Sequence, residues 1–227
     1  MTFIMEYSDL ILEGLWITVS LLIISFIFGF ILSIFVALSR LSHYKIIALP
    51  AFIFTSVIRG TPLLVQIYIY YYGLGEVFAK MPGIRSSFLW PYLRDGYWYV
   101  AFALIVSTAA YWGEVIRGGL LAVPKGEIEA ARAFGMSAFK ILIRVRLPRA
   151  IYILTPTLAG ETILLLKSTA LASTIAIMDL LGAAQRFRSI TLEVYQPLLT
   201  VAAIYLLITL LIEHLFKRVE NRIPTRG

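Results

Sequence analysis

Cysteine is absent from all 227 positions, histidine occurs only twice, and only 15% of residues carry charge. The first absence excludes disulfide staples and thiolate metal sites. The second leaves no His-rich metal centre, because His43 and His214 lie far apart and read as solvated loop or interface residues. No Gly-x-x-x-x-Gly-Lys-Ser/Thr stretch is present, so nothing in the chain resembles a loop that cradles nucleotide phosphates. Paired catalytic carboxylates and an activated nucleophile are missing as well, which argues against a membrane-embedded enzyme.

What fills the chain instead is apolar: 60% of residues are hydrophobic, far above the share in a soluble domain. Runs longer than about 18 residues read as spanning helices, since each helical residue rises about 1.5 Å through a hydrocarbon core roughly 30 Å thick. Five such runs are expected, at about residues 12–38, 54–74, 97–115, 151–173 and 197–216. The first follows an acidic segment with Glu6, Asp9 and Glu13, and it lacks the basic start and small-residue cleavage site of a signal peptide. The second contains Arg59-Gly60-Thr61-Pro62, which should bend or break it, and ends in a run of tyrosines suited to an interface. Residues 76–96 read as a Pro- and Gly-rich loop with short interfacial helix. The expected fold is all-α, a single transmembrane domain over residues 1–227.

The net charge of +7 would suit nucleic acid only on a soluble basic face, and none exists. With the acidic N-terminus outside, thirteen Lys and Arg residues fall in cytoplasmic segments and five in outer ones, leaving Arg59 and Lys167 within spans. This bias favours an outside N-terminus and a cytoplasmic C-terminus.

Residues 117–149 then form a polar cytoplasmic segment whose punctuation describes two short helices. Pro124 sits where a helix can begin, Glu127 and Glu129 complement the dipole of its first turn, and Gly135 can take the left-handed stop. Ser137 can cap a second helix, expected to end near Leu147 because Pro148 disfavours helix at the residue before it. Phe139, Leu142 and Ile143 give that helix one apolar face, opposite Lys140, Arg144 and Arg146.

Here the chain resembles the permease subunits of binding-protein-dependent ATP-driven (ABC) importers, in the branch for polar amino acids. Their signature is Glu-Ala-Ala, three residues, Gly, nine residues, Ile, one residue, Leu-Pro. This sequence carries Glu129-Ala130-Ala131, Gly135, Val145 and Leu147-Pro148 at that spacing, with Val145 for Ile. IRGTPLLVQ from Ile58, AYWGEVIRGGLLAVPKGEIEAA from Ala110, and KSTALAS from Lys167 are also family-like. In the last, Ser168 and Ala170 stand where the family has Asp and Ser, so no role of those residues transfers. The resemblance implies that Glu129, Ala130, Ala131, Gly135, Leu147 and Pro148 belong to a coupling segment docked in a groove of a separate ATPase. It also implies two ATPase copies holding ATP and Mg, a second permease subunit, identical or different, and an external solute-binding protein, in a bacterial cell membrane. This chain itself would hold no cofactor and no ATPase activity.

Ionisable side chains at membrane depth are costly, about 2.5–3.5 kcal/mol at a helix centre, and call for a partner. Thr157, Glu161 and Ser168 share one stripe of the fourth span. Glu161 is the expected counter-charge for a cationic cargo such as arginine, lysine or histidine, with Thr157, Gln66 and Glu114 as further substrate-binding candidates. The competing reading pairs Glu161 with Lys167, Arg59 or a partner subunit. Glu114 and Arg117, three apart, are expected to pair with each other. Arg59 suits a gate, a carboxylate or an interface. An ion-coupled secondary carrier or channel using Glu161 and Lys167 is the alternative function. Asp179, Arg186, Arg188 and Glu193 fall between spans with no expected role.

Overall fold

The computed structural model describes residues 8–221, which places Glu6, Arg222 and Arg226 of the charge analysis outside the described residues. Helix α1 is Ser8–Arg40, α2 Lys45–Gly60, α3 Leu63–Lys80, α4 Trp90–Leu93, α5 Gly96–Ala122, α6 Lys125–Ala133, α7 Ala138–Ile175, α8 Leu180–Thr191 and α9 Tyr195–Asn221. Of these, α1, α5, α7 and α9 are each long and apolar enough to cross a bilayer, and α2 with α3, bent by 105° at their junction, is long and apolar enough only when taken together. Four of the five expected spans are thus single long helices, extended at their ends by polar turns that hydropathy alone undercounts, and the second is the bent pair.

The bend falls at the expected place. Pro62 has no N–H to continue α2, so the last carbonyls of that helix lose their partners. The side chain of Gln66, buried at 5% exposure, replaces them. Its Nε2 donates to the Ile58 carbonyl at 2.8 Å, the Thr61 carbonyl at 3.1 Å and Thr61 Oγ1 at 2.9 Å. Beyond it α3 passes through a π-helical stretch, Ile69–Leu74, whose tyrosines stack edge-on: Tyr70 on Phe102 at 5.1 Å and Tyr71 on Tyr99 at 5.8 Å.

Helix α5 is the centre of the bundle, with 61% of its apolar window buried against 11% for α9. Trp112 anchors it, 2% exposed and edge-on to Phe26 at 5.3 Å and Phe30 at 6.1 Å. Helix α1 meets α5 through Ser25, Gly29, Ser33 and Ala37, four apart and all buried. Apolar burial does not distinguish a partner helix from lipid tails, so close backbone approach by small residues carries such pairing. A Cβ added at Gly29 would lie 2.6 Å from Thr108 Cβ, and one at Gly113 would lie 2.6 Å from Val36 Cγ1. Gly29→Leu is therefore expected to lower stability in detergent by roughly 1–3 kcal/mol or more through overpacking. Thermal unfolding of the purified chain checks this, and an unchanged midpoint would mean that α1 and α5 do not pack this way.

Two expectations need correction. The second short helix of the polar segment does not end at Leu147: α7 starts at Ala138, widens into a π-helical stretch over Leu142–Arg146, and continues into the fourth span. Pro148 is tolerated because it stands in the first turn of the α-helical part that follows, where a missing N–H does least harm. The Nη2 group of Arg146 also ties this stretch to α5, donating to the Leu120 carbonyl at 3.2 Å.

Asp179, assigned no role, is fully buried. It caps α8: Oδ1 accepts the Gly182 N–H at 2.9 Å, and Tyr205 of α9 donates to Oδ2 at 3.5 Å. Next to it, Thr18 of α1 accepts the Leu180 N–H at 3.1 Å, so the cap joins three elements. Burial pushes the Asp179 carboxyl up to about 6, outweighing the hydrogen bonds that pull it down. Its folded value then exceeds its ordinary one of 3.8, so the folded state holds the proton more tightly. Stability should fall as pH rises from about 4 to about 6 and level off above, a cost on the order of 3 kcal/mol. Asp179→Asn keeps a capping oxygen and removes the charge. Its unfolding temperature is expected to vary less between pH 4 and pH 6.5 and to exceed that of the wild type at pH 7; a slope identical to wild type would contradict this.

Candidate transport cavity and coupling face

A cavity of about 270 Å³ opens between α5, α7 and the start of α3. Helix α5 contributes Ser107, Thr108, Tyr111 and Trp112, and α7 contributes Glu161 and Ser168. Leu63, the first residue after the break, closes one side. This size suits one small polar molecule.

Glu161 is half-buried and is the only acid in the wall. Trp112 shares the cavity wall with it, and Arg59 lies within electrostatic reach. Among the described residues no Lys or Arg comes within ion-pair distance of it. Lys167 is exposed and outside the cavity, so the intrahelical pairing is not made.

The other expected substrate residues lie elsewhere. Thr157, one turn from Glu161, is exposed on the outward side of α7 and does not line the cavity. Gln66 has its amide nitrogen committed to the α2–α3 break. Glu114 sits between two guanidinium groups, Arg117 as expected at 2.8 Å and Arg40 of α1 at 2.6 Å. That triad locks the ends of α1 and α5 together, and Arg40 also stacks on Phe52 of α2 at 4.7 Å. Ser107, Thr108, Tyr111 and Trp112 received no site role from the sequence. The available signal was polar side chains at positions 107, 108 and 111 inside an apolar span, one helical turn apart.

At the polar end of the bundle, α6 follows its punctuation closely. Gly135 takes φ +74°. The N–H of Gly135 reaches the Arg132 carbonyl at 2.9 Å and that of Met136 reaches the Ala131 carbonyl at 3.2 Å, a Schellman ending. Ser137 Oγ caps α7 through the Lys140 N–H at 3.4 Å. Glu129, Ala130 and Gly135 are exposed, whereas Ala131 is 7% exposed and turned into the bundle. Leu147 packs with Ala37, Ile116, Leu120 and Ala150 in the core beneath, and Pro148 is exposed. Glu127 pairs with Arg149 at 3.3 Å and holds α6 against α7. Two aromatic side chains stand out from this end: Phe139 at 70% exposure, on the apolar face expected for its helix, and Phe134 at 87%, to which sequence reasoning assigned no role.

Residues 7–224 match the family of binding-protein-dependent transport system inner membrane components. The octopine transport system permease protein OccM of Rhizobium radiobacter is 43% identical over 92% of this chain and 84% of its own length. The histidine/lysine/arginine/ornithine transport system permease protein HisM of Escherichia coli K12 is 39% identical over 92% of this chain and 87% of its own. A crystal structure of an amino acid ABC transporter with histidines superposes over 97% of both chains, with 34% identity and a TM-score of 0.82. The inward-facing methionine transporter MetNI shares the fold, at 19% identity and a TM-score of 0.75. The chain therefore belongs to the inner-membrane components of binding-protein-dependent transport systems, as a permease subunit of an amino-acid ABC importer.

Proposed function

We propose that the chain forms the translocation pathway for amino acids with a cationic side chain, with Glu161 as the group that receives that cation. The supporting observation is the half-buried Glu161 carboxylate, alone in charge on the wall of a cavity of amino-acid size and, among the described residues, in no ion pair. The aromatic side chain of Trp112 in the same wall suits a guanidinium or ammonium group further. Relatives named for octopine and for histidine, lysine, arginine and ornithine agree with this class of cargo. Thr157 remains a candidate only for a contact completed by a second permease copy, since α7 presents it outward.

In this reading the N-terminus is outside and the polar end bearing α6 is cytoplasmic, as the excess of Lys and Arg at that end favours. There Glu129, Ala130, Gly135 and Phe134 meet a separate ATPase, present in two copies and binding ATP and Mg. Ala131, Leu147 and Pro148 support the contact by shaping α6 and the start of α7. A second permease subunit completes the pathway, and an external solute-binding protein delivers cargo to the bacterial cell membrane. The ion-coupled carrier is disfavoured by family membership and by Lys167, which lies outside the cavity that holds Glu161.

The test is reconstitution of this chain with its ATPase and binding protein in proteoliposomes. ATP-dependent uptake of radiolabelled arginine, lysine and histidine should exceed that of glutamine at equal concentration. A system that carries glutamine at least as well as arginine would overturn the assignment of a cationic cargo.

A further inference from the structure

We propose that Arg59 binds the α-carboxylate of the cargo, so that Arg59 and Glu161 together fix which way an amino acid lies in the cavity. The inference rests on the reading of this cavity as the cargo site and adds a second, oppositely charged anchor to it.

Arg59 stands in the last turn of α2, which ends at Gly60, and Leu63, the first helical residue beyond the break, lines the cavity. Irregular backbone at membrane depth persists only where protein covers it or where it borders a polar cavity. The guanidinium does not turn away toward an interface: it stacks over the ring of Tyr111 at 5.4 Å, and that ring is part of the cavity wall. The Tyr111 hydroxyl returns the contact, donating to the Arg59 carbonyl at 3.4 Å. The backbone around Arg59 is held by the Gln66 side chain through Ile58 and Thr61, so the cation is carried on a fixed corner rather than a loose loop. Among the described residues Arg59 has no carboxylate within ion-pair distance. Its five N–H donors, in a planar fork that matches a carboxylate, are thus available.

The chemistry of the cargo supplies what this arrangement lacks. An amino acid with a basic side chain carries a carboxylate at one end and a cation at the other. The cavity has a carboxylate in its wall, Glu161, and a cation stacked on one of its lining rings, Arg59 on Tyr111. A cargo lying the other way would set its side-chain cation against Arg59 and its carboxylate against Glu161, two like-charge encounters.

The experiment compares arginine with argininamide, which keeps the guanidinium and loses the carboxylate. Equilibrium binding of radiolabelled arginine to the detergent-purified permease–ATPase complex, without the binding protein, is competed with each compound. In the wild type, arginine should compete more strongly than argininamide by roughly ten- to a hundredfold, the range of a charge-assisted hydrogen bond. Arg59→Gln should bring that ratio near one, and Arg59→Lys should restore part of it, which also controls for folding and assembly. Citrulline, with its neutral side chain, separates the two anchors. Glu161→Gln should remove the preference for arginine over citrulline and leave the preference for arginine over argininamide. An Arg59→Gln complex that still prefers arginine to argininamide overturns the role of Arg59 and leaves the Glu161 reading standing. If neither substitution moves either ratio, the cavity is not the cargo site and both readings fail.

Discussion

Glu161→Gln should lose the preference for arginine over glutamine in transport by roughly ten- to a hundredfold, while the protein still folds and still assembles. Two effects add. The variant lacks the charge that offsets the desolvation of an incoming cation. It also no longer holds an ionised carboxylate against neutral cargo, so glutamine enters at lower cost. Folding should survive because glutamine is of the same size and still polar, and the side chain it replaces is only half-buried. Uptake in proteoliposomes, with matched arginine and glutamine concentrations, measures the ratio directly. A variant with wild-type selectivity would remove the Glu161 carboxylate from cargo recognition, and the polar wall of Ser107, Thr108 and Ser168 would then have to supply it.

Phe134→Asp should separate the permease from its ATPase. Phe134 projects from the Schellman end of α6 with 87% of its surface uncovered. It contributes little to the fold, so its replacement should leave the unfolding temperature of the isolated chain nearly unchanged. In a groove on a partner, a buried aromatic anchor commonly carries about 2 kcal/mol or more, a factor near 30 in affinity. An aspartate there adds the cost of a desolvated charge. Co-purification of the ATPase with the variant should fall accordingly, and cargo-stimulated ATP hydrolysis with it. Phe134→Leu should keep most of both. An Asp variant that retains ATPase and transport would move the docking surface away from this end of α6. The same contact reassigns Ala131: it lies beneath the exposed face, so a large residue there would disturb the packing of α6 before it touched a partner.

Local chemistry made much of this molecule legible in advance. Apolar runs located the four long spans and the bent pair, Gly60 and Pro62 marked the break, and Gly135 and Ser137 marked the end of α6 and the start of α7. These signals act within one helical turn of the residues that carry them. What escaped depends on contacts distant in sequence. The Arg40–Glu114 pair joins α1 to α5, and the hydrogen bond between Thr18 and Leu180 joins α1 to α8. Asp179 looks like a loop carboxylate until α1 and α9 close over it. Gln66 shows a related ambiguity: a polar side chain inside a span can serve a ligand or an orphaned backbone, and only the bend at Pro62 decides in favour of the backbone. The run through Leu147-Pro148 failed for a different reason. A proline disfavours helix before it unless the turn is widened, and a π-helical stretch has no distinctive residue pattern.

In the proposed function this bundle supplies a selective route and draws its energy from another subunit. Proteoliposomes containing the chain alone, and others containing the chain with its ATPase and binding protein, would be given radiolabelled arginine under imposed proton and sodium gradients, with and without internal ATP. Uptake is expected only in the complete system and only with ATP. Arginine accumulation by the chain alone, driven by either gradient, would contradict it.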